Sequence, residues 1–477
     1  MIGVEEPIKG ESQSLSLRKP SLPKMVDDAG LTGLVLAGYL LAMIALGAFA
    51  ARRSDTLESF FLAGRSLKPA LLTATLCATI LGASSTLGMA GLGFSEGLTG
   101  AWWLLSGTLG LLILSFFLAE KVRAAGCYTL PELIGAQYDH RVRLGASALI
   151  LVSWIGITAA QIVASGKLLA VLFGTSQDIF MIASALVFVV YTALGGQRSI
   201  VKTDAAQVLI LLAGLAIVSW RAFSLVGPEI LAGQSFPTSA ARSGIDVASL
   251  VLVVGSTYMV GPDIYSRLFS AENPKTARRS ALAAALVLLP LAFIITGLGI
   301  CARILFPGIG PEEALPVLMT ETLSPLGEGL VAAALLSALM SSADTTLLTA
   351  TSIFTLDLYK TARPGASQKI LMRVSRGGTV LIGGLALLSA LHLPEIIATL
   401  LSAYTVFAGG LIVPLVAGFW KDRFRLTSEG ALAALLGGGG IAFFFGQRWP
   451  LLGMVVSAVL LFSVSRLFPQ SKRSIKG

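Results

Sequence analysis

Apolar residues run through this chain in blocks of about 20, the length an α-helix needs to cross the hydrocarbon layer of a bilayer, and short polar stretches separate them. Reading each block as one crossing predicts about 13 helices, near 31–50, 70–96, 101–118, 143–173, 178–195, 204–224, 246–265, 279–305, 328–358, 372–390, 393–418, 428–446 and 449–467. Two of them, 143–173 and 328–358, exceed one membrane thickness and are expected to tilt or project beyond it. The polar stretches carry the orientation. Loops at 51–69, 119–142, 196–203, 266–278, 359–371 and 419–427, with their flanking turns and the C-terminal tail, hold 26 Lys and Arg residues, whereas the opposite loops hold four: Arg221, Arg242, Arg303 and Arg448. Basic loops stay cytoplasmic, so the C-terminus is expected inside and the N-terminus outside.

Composition sharpens this picture. Apolar residues make up 55% and charged residues 13%, against about 25% charged in ordinary globular domains, and the mean hydropathy is +0.82. The chain therefore reads as one polytopic membrane unit in a cell membrane, with lipid as its solvent. The net charge of +9 is a topology signal and no sign of a nucleic-acid partner. Cys77, Cys127 and Cys301 sit in or beside apolar blocks without metal-type spacing, and read as small core residues. His140 and His392 are too far apart for a metal site. Residues 1–30 are polar with no signal-peptide pattern; a disordered tail is expected, with Met25 an alternative start.

Within these blocks, three departures from plain hydrophobicity suggest chemistry. In 335–360, LLSALMSSADTTLLTATSIFTLDLYK, the residues Ser337, Ser341, Asp344, Thr345 and Ser352 recur at helical spacing and share a face. A carboxylate in mid-membrane costs ~2.5–3.5 kcal/mol and marks a polar interior or a cation path. Hydroxyls with few charges nearby suit a weakly held monovalent cation. The other two departures are interruptions: ATILGASSTLG at 78–88, and GSTYMVGPD at 255–263 with Gly255, Gly261 and Pro262 as breakers. Each opens a set of five helices, 70–224 and 246–418. Matched discontinuous helices in two halves point to a transporter's midplane site; the alternative is that these glycines only allow close helix packing.

Five motifs in order then give a family resemblance. FFLAGRSL (60–67), TLPELIGAQYDHRVR (129–143), YTALGGQRSIVKTDAAQ (191–207), GPDIYSRLFSAENPKTARRS (261–280) and ALMSSADTTLLTATSIFTLDLYK (338–360) resemble the signatures of the sodium/solute symporter family over nearly all of 57–425. The resemblance implies an all-α polytopic fold: a five-plus-five inverted-repeat core of the leucine-transporter type, with flanking helices. The expected organisation is a tail over 1–30, a leading helix and cytoplasmic loop over 31–69, a first repeat over 70–224, an inverted second repeat over 246–418, two peripheral helices over 428–467 and a cytoplasmic tail over 468–477.

The family likeness also implies a sodium site formed by the carbonyls of Ala78, Leu81 and Ala338 with the hydroxyls of Ser341 and Ser342. Physical reasoning agrees: hard cations take oxygen ligands, an interrupted helix frees carbonyls, and residues 338, 341 and 342 share one turn. The alternative is that these serines bond carbonyls one turn back. Asp204, with Asp344 and Thr345, is implied to line the inward sodium exit path or to form a second cation site; alternatively Asp204 caps a helix N-terminus. Arg65 is a candidate gate that pairs with a carboxylate, or else a positive-inside anchor. Asp263 and Arg267, four apart, are expected to form a structural pair.

Substrate candidates beside the interruptions are Ser84, Ser85, Gln161, Thr257, Tyr258 and Tyr404, each equally readable as packing. Sugar-transporting members place a Glu-Gln pair where Ser84-Ser85 stands, and proline-transporting members an Asp where Ile80 stands, so the solute is expected to be another small organic molecule, an amino acid or a monocarboxylate. The resulting expectation is a secondary transporter that uses inward sodium flow to accumulate that solute by alternating access, with sodium as coupling ion and no organic cofactor. Proton coupling through Asp344 or Asp204 is the rival within transport. A solute-sensing receptor is the rival from another class, though the ~10 residues after the last span leave no room for a signalling module. No paired carboxylates, nucleophile–base pair or metal cluster suggests an enzyme.

Overall fold

The computed structural model describes residues 22–51, 56–393 and 395–468. Among them the secondary structure is helical apart from one isolated bridge, Leu67 to Ala271. Among the described residues nine helices are long and apolar enough to cross a bilayer. In chain order the principal helices are α1 (Leu22–Ala51), α2 (Pro69–Ile80), α3 (Ser84–Ala124), α4 (His140–Phe173), α5 (Gln177–Val226), α6 (Gly244–Phe269), α7 (Pro274–Leu305), α8 (Pro325–Ala362), α9 (Gln368–His392), α10 (Ile396–Gly418), α11 (Ser428–Phe445) and α12 (Leu452–Leu467). The tail expected over 1–30 lies outside the described residues up to 21, and from Leu22 onward it is already helix. The tail expected over 468–477 lies outside them from 469.

Local chemistry sets these boundaries. Side chains of Asp139, Asn273, Ser324, Ser367 and Thr427 accept the free amides at the starts of α4, α7, α8, α9 and α11, and Pro274 and Pro325 occupy first-turn positions where no donor is lost. Gly174, at φ +62, ends α4 in the left-handed conformation. Two expected loops are reduced to tight turns at a glycine. Gly97, at φ 69 and ψ −147, breaks α3 after Glu96 and opens a 3-10 turn over 97–101, and 196–203, expected as a basic loop, is helical except at Gly196. That residue takes φ 65 and ψ −178, a combination essentially only glycine reaches, so a single residue redirects the chain and the helix resumes at once.

Helices from both halves of the chain pack around α8. Every residue from Val331 to Ile353 is buried, which makes α8 the central rod, flanked by α1, α4, α5 and α9. Large apolar side chains on the outside, among them Leu186, Leu209, Trp220 and Phe444, are exposed, as expected where lipid is the solvent. The bridge at Leu67 joins the segment before α2 to the segment after α6: Leu67 N donates to Ser270 O at 3.0 Å and Glu272 N donates to Leu67 O at 3.0 Å. In the turn after α3, burial and then the nearby Glu132 push the Cys127 thiol up to about 11, in keeping with an inert core cysteine.

Gly196→Val should be costly on two counts. It imposes ~1–3 kcal/mol of backbone strain, and its side chain would strike the ring of Phe60. A thermal-unfolding midpoint several degrees lower in the purified variant is the expected result; an unchanged midpoint would show that the turn tolerates a side chain.

Candidate functional site

The first interruption falls between α2 and α3. Leu81 leaves helical geometry at φ −80 and ψ 63, and Gly82 N donates to Ile80 O at 2.9 Å. Neighbouring hydroxyls take up part of what the break releases: Ser85 donates to Ile80 O at 2.8 Å and Thr86 to Gly82 O at 2.7 Å. Gln161 on α4 accepts from Ala83 N at 2.9 Å. Ser342 on α8 donates to Thr79 O at 2.9 Å and reaches Ala78 O at 3.4 Å. Glycine is required at 82 because a Cβ there would collide with both Ser342 Oγ and Gln161 Oε1. The break is thus clamped on two sides, by α8 and by α4. The second interruption lies within α6, where Gly261 at ψ 133 precedes Pro262.

Directly beside Ser342 lies a layer of buried charge. Asp204 on α5 accepts from Thr75 of α2, from Ser341 at 2.5 Å, and from Arg267 Nη2 at 3.5 Å. Arg267 is wholly buried; it also donates to Gln197 Oε1 at 2.6 Å and to Thr345 Oγ1. Asp344 turns the other way and accepts from Thr192 at 2.8 Å. Asp204 and Thr345 therefore meet around a guanidinium, with Asp344 to one side.

The other candidates gather around a cavity of about 30 Å³. It is lined by Ser84, Gln161, Thr257, Tyr258 and Tyr404, together with Ile80, Trp154, Asp263 and Ser342. Ser85 is directed to Ile80 O instead. The rings of Tyr258 and Tyr404 meet edge-on with centroids 6.4 Å apart, and Trp103 stacks on Tyr404 at 6.2 Å. Arg65 does find a carboxylate, Glu58 at 3.0 Å, and also donates to Gly126 O at 2.8 Å beside the ring of Tyr128.

Comparison with known proteins gives this geometry its context. The profile of the sodium:solute symporter family matches residues 60–438. The chain belongs to the sodium:solute symporter family. It is 28% identical over 431 residues to the sodium/pantothenate symporter of Escherichia coli (strain K12), covering 85% of this chain and 88% of that one. It is 27% identical to the osmoregulated proline transporter OpuE of Bacillus subtilis (strain 168), covering 84% and 85%. In fold it is similar to a sodium-coupled sialic acid symporter solved substrate-bound and outward-open, at TM-score 0.79 and 19% identity over 92% of this chain and 98% of the other. The protein is thus a multi-pass membrane symporter that couples sodium to uptake of a small solute, a carrier and not an enzyme.

Two expectations for this symporter are overturned. Asp263 and Arg267 do not pair: Arg267 reaches across to Asp204, 63 positions away in the chain, while Asp263 accepts from its own Ile264 N at 3.0 Å. Nor does Asp204 cap a helix start, because the helix resumes straight after Gly196 and residue 204 sits two turns inside it, bonded sideways. Sequence reasoning missed Thr75, Thr192 and Gln197 as partners of the charged layer. An intramembrane arginine was the available signal, since such a residue seldom stays unpaired.

The tie between Arg267 and Asp204 generates a stability test. Arg267→Gln strands a buried carboxylate, and ~3–5 kcal/mol is the usual cost of breaking such a pair from one side. Combining it with Asp204→Asn should recover part of that loss, read as a non-additive double-mutant cycle in thermal unfolding; strictly additive losses would mean the two groups are not coupled.

Proposed function

We propose that this symporter holds its coupling sodium between the carbonyls of Ala78 and Leu81 at the first interruption and Ala338, Ser341 and Ser342 on α8. The observation that carries this reading is the contact of Ser342 with the carbonyls of Ala78 and Thr79, which brings hydroxyl-rich helix and unwound turn together. Ser341 donates its proton to Asp204 and Ser342 donates to Thr79 O, so lone pairs of both hydroxyls remain for a cation. Neutral oxygens suit a +1 ion that must also leave. Arg267 already supplies positive charge between Asp204 and Thr345, which favours a single sodium per cycle over a second cation there. Proton transfer through Asp344 or Asp204 is the rival.

The solute is read as a small organic molecule held in the cavity between the two interruptions. At about 30 Å³ that cavity admits a water or two, so loading a solute requires its walls to move, as alternating access demands. Glu312 supports closure at one end: its carboxylate pairs with Lys167 of α4 and accepts from Ile396 N at 2.8 Å and Ile397 N at 3.3 Å at the start of α10. With the basic loops taken as cytoplasmic and the N-terminus outside, that closed end is the outer one. Sodium bound at the break orders the adjacent cavity, and reciprocity requires sodium and solute to raise each other's affinity by the same factor.

Titrating sodium into the purified protein should raise its unfolding midpoint. In Ser342→Ala and Ser341→Ala the half-maximal sodium concentration should rise about ten-fold, the loss of roughly 1.4 kcal/mol of binding, with little change in sodium-free stability. Unchanged sodium affinity in both variants would remove the site assignment. Solute accumulation in sodium-free proteoliposomes under a pH gradient would instead favour the proton rival.

A further inference from the structure

Four aspartates lie in the interiors of the described helices α5, α6 and α8, and two of them have an ion-pair partner. Asp204 has Arg267 at 3.5 Å. Asp357, near the end of α8, has Arg143 at 2.7 Å and Thr129 at 3.0 Å. Asp344 forms no ion pair but accepts from Thr192 of α5 and is not part of the cavity wall. Asp263 differs. It stands immediately after the second interruption, its side chain takes one hydrogen bond from its own Ile264 N–H, and among the described residues no cationic side chain forms an ion pair with it. Arg267, one helical turn further on, is the group that would ordinarily pair with it, but its Nη1 and Nη2 are directed to Gln197, Asp204 and Thr345 and its Nε has no hydrogen-bond partner.

Asp263 also forms part of the wall of the solute cavity, with Tyr258, Tyr404 and Trp154 around the same space. An acidic group kept in mid-membrane without an ion-pair partner costs free energy, and a helix N-terminus and the more distant charge of Arg267 offset only part of that. The remainder is recovered if the counter-charge arrives with the cargo. Aromatic rings around a carboxylate suit an ammonium group, which gains from the ring faces as well as from the anion. A carboxylate-only or phosphate-bearing solute would instead meet like charge.

We propose that Asp263 is the solute-recognising anion of this symporter, and that the transported solute carries a positively charged nitrogen, an amine or a quaternary ammonium, seated against Asp263 among Tyr258, Tyr404 and Trp154. This rests on the reading that the cavity between the interruptions holds the solute. Cations and zwitterions both meet this requirement; Ser84, Thr257 and Gln161 offer neutral partners for the rest of the molecule.

The test is a thermal-shift screen of the purified full-length protein, with and without sodium, against tetramethylammonium, a short primary amine, glycine betaine, proline, glucose and propionate. The expected result is sodium-enhanced stabilisation confined to the nitrogen-charged probes, with the affinity of the best of them falling about ten-fold or more in Asp263→Asn while stabilisation by sodium alone persists. Stabilisation by glucose or propionate, by none of the six, or equally in the Asn variant overturns the proposal. Because the wild-type screen compares charges on the ligand, it decides the matter even if the Asn variant fails to fold. Absence of any shift with sodium alone would bring down the ion-site reading as well, which separates the two failures.

Discussion

A membrane helix that stops in mid-bilayer exposes backbone groups to a medium that cannot solvate them, and the rest of this structure is arranged around that problem at residues 81–83. Each unsatisfied group would cost several kcal/mol in hydrocarbon. The protein meets the demand with side chains: Ser85 and Thr86 from the same strand of chain, Gln161 from α4, Ser342 from α8. What keeps the break intact therefore also dictates which helices must touch it. Carbonyls that are satisfied by hydroxyls can exchange those partners for a cation at little cost, a property that an intact helix lacks.

Charge is distributed with similar economy. Arg267 draws together α5, α6 and α8 through Gln197, Asp204 and Thr345, so the polar layer below the break is tied laterally as well as along each rod. Buried ion pairs rarely add stability over well-packed hydrocarbon. Their retention here fits a role in setting where positive charge can and cannot accumulate. Next to the break, hydroxyls remain without a fixed cation; one turn away, the space between Asp204 and Thr345 has a guanidinium permanently attached.

Much of this was legible in the sequence because lipid enforces it. A backbone that must bond internally leaves long apolar runs, and Gly261-Pro262 or the small residues around Gly82 stand out against them. The hydroxyl face of α8 was equally visible from spacing alone. Local rules failed where a single residue or a distant partner decided the outcome. The basic stretch 196–203 looked like a loop, yet Gly196 turns the chain by itself and the following residues return to helix. The four-residue spacing of Asp263 and Arg267 suggested a pair, but a longer reach to Asp204 won, because that carboxylate also had Thr75 and Ser341 arranged around it. Gln161 read as a solute contact, and its amide oxygen turns out to hold Ala83 N. No pattern within α4 announces that, since the group it satisfies exists only because another helix has stopped.

The short bridge at Leu67 has a mechanical consequence. It fastens the stretch leading into the first interrupted helix to the stretch leaving the second, through two backbone hydrogen bonds, and Arg123, at the end of α3, separately holds the second stretch by donating to Ala271 O at 2.7 Å. Two hinges stapled at the same end cannot swing independently. Whatever displaces one must carry its counterpart along, so the pair behaves as a single lever, and a load applied at either pivot is felt at the other.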